Sequence, residues 1–211
     1  MEYSPQTLSH RMILTAAMPF DDLKAIEKLM TEYPSGFGLA VLPSYMKSAR
    51  ALLPKSLDSR LIGLVGYPTG GVTTKTKVNE VRDMYFEGAD AFHVVVNTSF
   101  VLSGNWEDLE CELLSVVHAA VERPVSLILE AAYLSDPQIM RLINICTETG
   151  IKSIGTSTGW LPKAYGRPAS TTRAEVMAGV TRGAAAMTVP RSSTRTTLAR
   201  RPVSSATRSS G

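Results

Sequence analysis

The chain has 211 residues, of which 44% are apolar and 19% are charged, an ordinary balance for a globular protein. No apolar run approaches the roughly 20 residues that a membrane span requires, and the first residues do not form a signal peptide. We therefore expect a soluble, cytoplasmic protein. The net charge of +3 comes from residues 188–211, because residues 1–187 carry 17 basic and 19 acidic groups. This balance argues against a nucleic-acid partner.

Short apolar segments alternate with longer segments of helical period, which predicts βα units around a parallel sheet. Strands are predicted at 11–14, 37–42, 61–67, 92–96, 126–130 and 152–156, and helices at 20–33, 45–53, 74–86, 107–121 and 136–149. Ser135 and Pro137 form a good helix start, and Gly88 and Gly150 lie where helices should end. Six such units favour a barrel, and an open doubly wound sheet is the alternative that the pattern leaves.

Two features bear on redox state and on domain limits. Cys111 and Cys146 lie in helical patterns without metal-ligand spacing, which predicts buried free thiols and no disulfide. From residue 188 onward, 16 of 24 residues are Ser, Thr or Arg. We interpret 1–183 as the barrel domain and 184–211 as a tail, which is either disordered or the product of a shifted reading frame.

Several short motifs in a fixed order identify a family. Residues 153–160 read SIGTSTGW, and the earlier motifs are LSHRM at 8–12, VLPSY at 41–45, VGYPTG at 65–70, a Lys77/Glu80 pair, a strand ending in Asn97, and LSGNW at 102–106. Over residues 8–176 these motifs resemble the deoxyribose-phosphate aldolase family. The resemblance implies a (β/α)₈ TIM barrel that lacks strands 7 and 8 as translated. It also implies the reversible cleavage of 2-deoxyribose 5-phosphate into glyceraldehyde 3-phosphate and acetaldehyde, without a cofactor.

Residues expected in the barrel interior differ from the family pattern. Gly155 stands where the resemblance places the Schiff-base lysine, and glycine has no amine to condense with a carbonyl. By the same comparison, the family's other charged or thiol groups are replaced by Ser9, Ala40, His93 and Ser126. Because a buried charge is costly without its partner, coordinated losses favour a remade interior over a recently broken one. Lys152 and Lys163 are expected to be surface lysines.

Strand alternation predicts which side chains remain for chemistry. His93 and Asn97 face inward on the fourth strand, and Glu130 does so on the fifth. These three are the candidate catalytic residues, with space-filling or hydrogen-bond anchoring as the structural alternative. The resemblance places phosphate recognition at Ser157, Thr158 and Gly159. No histidine and carboxylate cluster has metal spacing, so no metal is expected.

The predicted function is therefore that of a divergent enzyme acting on a small phosphorylated sugar or carbonyl compound without a Schiff base. Two alternatives remain at this point: a non-catalytic protein that binds a sugar phosphate, and a damaged or frameshifted gene product. The resemblance also allows a homodimer. His10 is expected to be structural and His118 to lie on a helix surface.

Overall fold

Six parallel strands in chain order form one sheet in the computed structural model, which describes residues 12–32, 37–53 and 59–160. The strands are β1 (Ile13–Ala16), β2 (Gly38–Val41), β3 (Arg60–Val65), β4 (Ala91–Val95), β5 (Val125–Ile128) and β6 (Ser153–Gly155). Each strand pairs in parallel with the next one along the chain. Sequential parallel neighbours joined by helices are the arrangement of a βα barrel, which confirms the predicted α/β fold class.

Helices connect the strands. They are α1 (Leu23–Glu32), α2 (Met46–Leu52), α3 (Thr74–Phe86), α4 (Thr98–Ser103), α5 (Trp106–Ala119) and α6 (Asp136–Thr149), with short 3₁₀ turns at Pro43–Tyr45 and Ala131–Tyr133. The predicted bounds of α3 and α6 are confirmed, and Ser135 begins α6 with a capping box to Gln138. Helix α4 was not predicted, because six residues are too few to show a helical period.

The two faces of the sheet carry different side chains. One face packs against the helices and contributes Leu39, Val41, Leu61, Val65, Phe92, Val94, Leu127 and Leu129 to the main hydrophobic core. The other face carries a smaller cluster made of Ala17, Ala40, Ile62, Leu64 and Ala91. Since neighbours along a strand alternate, His93, Ser126 and Gly155 lie on this second face, as predicted.

Two strands end two residues earlier than predicted, each within two residues of a residue with a positive φ. The strand predicted at 61–67 ends at Val65, because Gly66 adopts a positive φ of 63°. The strand predicted at 126–130 ends at Ile128, because Glu130 adopts a left-handed conformation with φ 50°. Both breaks lie at the carboxyl end of the sheet, where they redirect the chain across its edge.

The thiol prediction is half right. Cys111 and Cys146 are both free, and burial raises the pKa of the Cys146 thiol to about 12. Cys111, however, is exposed, because its position on α5 faces away from the sheet. His118 on the same helix is exposed, as predicted. In the part of the chain that the structure describes, no helix is long and apolar enough to cross a membrane.

Some expectations lie outside the described residues. These are the ones on Ser9, His10 and Lys163, the boundary at residue 183, and the tail at 184–211.

Candidate functional site

The carboxyl ends of the parallel strands meet at one edge of the sheet, where barrels bind their ligands. Three segments converge there: Gly66 to Gly71 after β3, Glu130 after β5, and Thr156 to Trp160 after β6. Hydrogen bonds from Tyr67 to Thr158 and from Ser157 to Glu130 join these segments into one continuous surface.

Glu130 joins the ends of β5 and β6. Its side chain is 2% exposed and accepts hydrogen bonds from the Ser157 hydroxyl, at 3.0 Å, and from the Thr158 backbone N–H. A left-handed backbone is uncommon for a residue other than glycine and is often found at functional sites. The predicted catalytic Glu130 and the predicted phosphate-binding residues are therefore brought together in one network.

The amides that follow β6 are occupied within the chain. The Gly159 N–H donates to the Ser157 hydroxyl oxygen at 2.9 Å, and the Trp160 N–H donates to the Thr158 hydroxyl oxygen at 3.3 Å. With the Thr158 N–H held by Glu130, this segment is ordered by its own side chains. A phosphate group would have to displace these acceptors to use the same amides.

His93 lies deeper on the barrel-facing side of β4. It is in register with Ser126 of β5, whose hydroxyl lies 2.6 Å from that of Ser153 on β6. Burial lowers the pKa of His93, and the positive charge of Arg60 adds to the lowering. The imidazole is consequently neutral at pH 7 and able to accept a proton. Among the described residues, no hydrogen bond joins His93 to the Glu130 network.

Asn97 and Gly155 have local structural explanations. The Asn97 side chain is buried and accepts a hydrogen bond from the Phe100 N–H at 3.4 Å, which caps the start of α4. Gly155 is in register with Ile128, and a Cβ on Gly155 would lie 3.3 Å from the Cγ1 atom of Ile128. A side chain at position 155 would therefore face the same interior as His93.

A cleft of about 280 Å³ opens at this edge of the sheet. Its lining consists of Thr15, Ala17, Met18, Tyr67, Thr158, Gly159 and Trp160. Two of the predicted phosphate-binding residues, Thr158 and Gly159, are in this lining, whereas Ser157 and the three predicted catalytic residues are not. Thr158 and Gly159 thus lie in the cleft lining, and Glu130 and Ser157 lie in the hydrogen-bonded network beside it. His93 and Asn97 belong to neither group.

Tyr67 lines the cleft, and the sequence pattern did not single it out as a site residue. Its hydroxyl donates to the Thr158 carbonyl oxygen at 3.1 Å, and its ring meets Trp160 edge to face with centroids 6.4 Å apart. Burial raises the pKa of the Tyr67 phenol, and the Glu130 carboxylate adds to the rise. The signal in the sequence was its place in the turn after β3, between two glycines whose flexibility carries the chain over the sheet edge.

The chain therefore has the architecture of a βα-barrel protein with a cleft at the carboxyl ends of its strands. No protein-family model matches it. The deoxyribose-phosphate aldolase of Klebsiella pneumoniae is 40% identical over 143 residues, which cover 67% of this chain and 57% of that protein. The deoxyribose-phosphate aldolase of Clostridium botulinum is 30% identical over 154 residues, covering 72% of this chain and 71% of that protein. The chain belongs to the deoxyribose-phosphate aldolase family.

A solved structure agrees with this fold. The tetrameric deoxyribose-phosphate aldolase from Aeropyrum pernix superposes with a TM-score of 0.73 at 24% identity, covering 85% of this chain and 75% of that one. The present chain spans less than two thirds of the length of the Klebsiella relative.

Proposed function

We propose that this protein binds a small phosphorylated sugar or carbonyl compound in the cleft and acts on it without forming a Schiff base on β6. The observation that carries the proposal is the position of the cleft, which lies at the carboxyl ends of β1, β3 and β6. That edge holds the ligand site in barrels, and relatives of this chain are named deoxyribose-phosphate aldolases.

Because Gly155 has no side-chain amine, the reaction mechanism cannot use a Schiff base at this position. A class I aldolase needs a primary amine as nucleophile and electron sink, and position 155 cannot supply one. Proton transfer remains available, because His93 is a neutral base on the interior face of the sheet. We assign the acid–base role to His93, which lies outside the cleft lining, so this role requires the ligand to extend from the cleft along the interior face to His93. We assign to Glu130 the ordering of the Ser157 to Gly159 segment.

Turnover of 2-deoxyribose 5-phosphate across pH tests the catalytic part of this proposal. Because burial lowers the pKa of His93, we expect activity to persist below about pH 6.5, the ordinary value for histidine, and to fall only at lower pH, where the imidazole becomes protonated and cannot accept a proton. His93→Gln should abolish the activity, whereas His118→Gln, on the exposed face of α5, should leave it unchanged. Activity that survives His93→Gln would remove His93 from the mechanism.

Borohydride treatment with substrate, followed by intact mass measurement, tests the claim about the Schiff base. The wild-type protein should show no adduct. A stoichiometric adduct would show that another lysine acts as nucleophile and would contradict the proposal.

A binding function without catalysis is the second candidate. It is favoured by the structural hydrogen bonds of Glu130 and Asn97, since side chains that hold a loop or cap a helix are less free to transfer protons. Calorimetric titration with the same sugar phosphate separates the two functions. Saturable binding without turnover at any pH would support the second candidate. The cytoplasmic location and the homodimer remain predictions whichever of the two functions is correct.

A further inference from the structure

Where the pairing of β3 and β4 ends, side chains of helix α3 form hydrogen bonds with the strand backbone. The register between these strands runs from Ile62 with Ala91 to Val65 with Val94. Just beyond it, the Gly66 N–H donates to the Glu80 carboxylate at 2.7 Å, and the Val95 carbonyl accepts from the Lys77 ammonium at 2.9 Å. Two side chains of α3 therefore satisfy backbone groups of both strands where the sheet ends.

Lys77 is held firmly in this position. Its side chain and that of Glu112 on α5 are both 0% exposed, and Nζ of Lys77 lies 2.6 Å from Oε1 of Glu112. The Thr74 hydroxyl donates to the second carboxylate oxygen of Glu112 at 3.4 Å. A buried pair with its hydrogen bonds satisfied is rigid, because movement of either partner leaves a charge unpaired in the interior.

The turn after β3 packs directly against Lys77 and the end of β4. A Cβ on Gly66 would lie 2.9 Å from Cε of Lys77, and Gly66 has a positive φ of 63°. A Cβ on Gly70 would overlap the Val96 carbonyl, and the Gly70 N–H donates to the Gly66 carbonyl at 2.8 Å. Glycine at these two positions lets the turn lie between α3 and the end of β4.

Tyr67 is the residue that this arrangement presents to the cleft. It follows Gly66 directly, lines the cleft, and reaches across the sheet edge to the Thr158 carbonyl. The Lys77 and Glu80 side chains thus fix the two backbone segments that set the origin of the Tyr67 side chain.

We propose that Lys77 and Glu80 are positioning residues that hold Tyr67 over the cleft, and that the protein's affinity for its ligand depends on them although neither lines the cleft. Lys77 and Glu80 hold Tyr67 in this position in the protein without a ligand. The statement about affinity rests on the proposed function.

Fluorine NMR of protein labelled with 3-fluorotyrosine gives a direct view of Tyr67. Its resonance is the one that disappears in Tyr67→Phe. In Glu80→Leu the acceptor for Gly66 is lost, so we expect this resonance to shift and the phenol to titrate at lower pH than in the wild-type protein. Glu80→Gln keeps an acceptor oxygen and should restore the wild-type resonance, an outcome that a purely charge-based role for Glu80 would not give.

Affinity for 2-deoxyribose 5-phosphate is measured on the same variants. Losing one hydrogen bond that fixes Tyr67 should weaken binding about fivefold in Glu80→Leu, with near-native affinity in Glu80→Gln. The double variant Lys77→Met with Glu112→Leu removes both buried charges and should shift the Tyr67 resonance too, whereas Lys75→Met, on the exposed face of α3, should not.

The outcomes separate the two proposals. An unchanged Tyr67 resonance in folded Glu80→Leu protein overturns the positioning role. A shifted resonance in a protein that binds no sugar phosphate, even as wild type, supports the positioning of Tyr67 and contradicts the proposed function.

Discussion

The interior face of the sheet is filled differently at its centre and at its mouth. The atoms nearest to a Cβ on Gly155 all belong to Ile128. The paired hydroxyls of Ser126 and Ser153 lie two residues earlier on the same two strands, and all three of these side chains are uncharged. At the mouth of the barrel, the Glu130 carboxylate accepts hydrogen bonds from the Ser157 hydroxyl and the Thr158 backbone N–H. A carboxylate with such donors needs no cation beside it, so the interior can do without a lysine.

Restoring an amine at position 155 tests this view of the interior. Gly155→Lys should gain an adduct with 2-deoxyribose 5-phosphate under borohydride, because the new side chain faces the interior and its Cβ requires Ile128 to move by only a few tenths of an ångström. Gly155→Met adds a chain of similar bulk without an amine and should gain none. The measurement is intact mass before and after reduction, and equal labelling of both variants would contradict the expected position of residue 155.

At the scale of elements, helix ends decide several features of the fold. Helix α5 ends at Ala119, and Val121 just beyond it adopts a left-handed conformation with φ 57° while 62% exposed. A β-branched residue is strained in this conformation, which glycine usually provides after a helix.

Val121→Gly should therefore stabilise the protein. We expect a gain of about 1 kcal/mol in the free energy of unfolding, since relief of the left-handed strain exceeds the entropy cost of glycine in the unfolded chain. Val121→Ala keeps a Cβ and should gain less. Urea denaturation of the three proteins measures this, and a loss of stability in Val121→Gly would show that Val121 makes a contact that outweighs its strain.

Sequence reasoning succeeded where local signals and periodicity were strong. The bounds of α6 follow from the Ser135 cap and from the glycine after Thr149, and the inward row of β4 follows from simple alternation. It failed where a tertiary contact sets the backbone, because the left-handed Glu130 and the early end of β3 depend on hydrogen bonds to residues distant in the sequence. The role of Tyr67 was missed for the same reason, since its partner Thr158 lies 91 positions away.

Across residues 12–32, 37–53 and 59–160, the main departure from an apolar core is the pair formed by Lys77 and Glu112 between α3, α5 and β4. Burial lowers the pKa of Lys77 and raises that of Glu112, while each partner's charge acts in the opposite direction. Removing two charges from water carries a desolvation penalty that their attraction has to offset, so a buried ion pair is weak evidence of net stabilisation. This is consistent with a role in fixing the end of β4 and the turn that carries Tyr67.

Unfolding measurements on single and double variants test this energetic account. Lys77→Met should lose about 3 to 5 kcal/mol, because it leaves the Glu112 carboxylate buried without its cation. Lys77→Met with Glu112→Leu should recover most of that loss, since replacing both charges by apolar groups of similar volume can be close to neutral. The exposed pair of Lys28 and Glu32, 3.7 Å apart, provides the control, and Lys28→Met should change stability by less than about 1 kcal/mol. If the double variant were as unstable as the single one, the Lys77 hydrogen bond to Val95 would itself be the stabilising contact, and the sheet edge would depend on it directly.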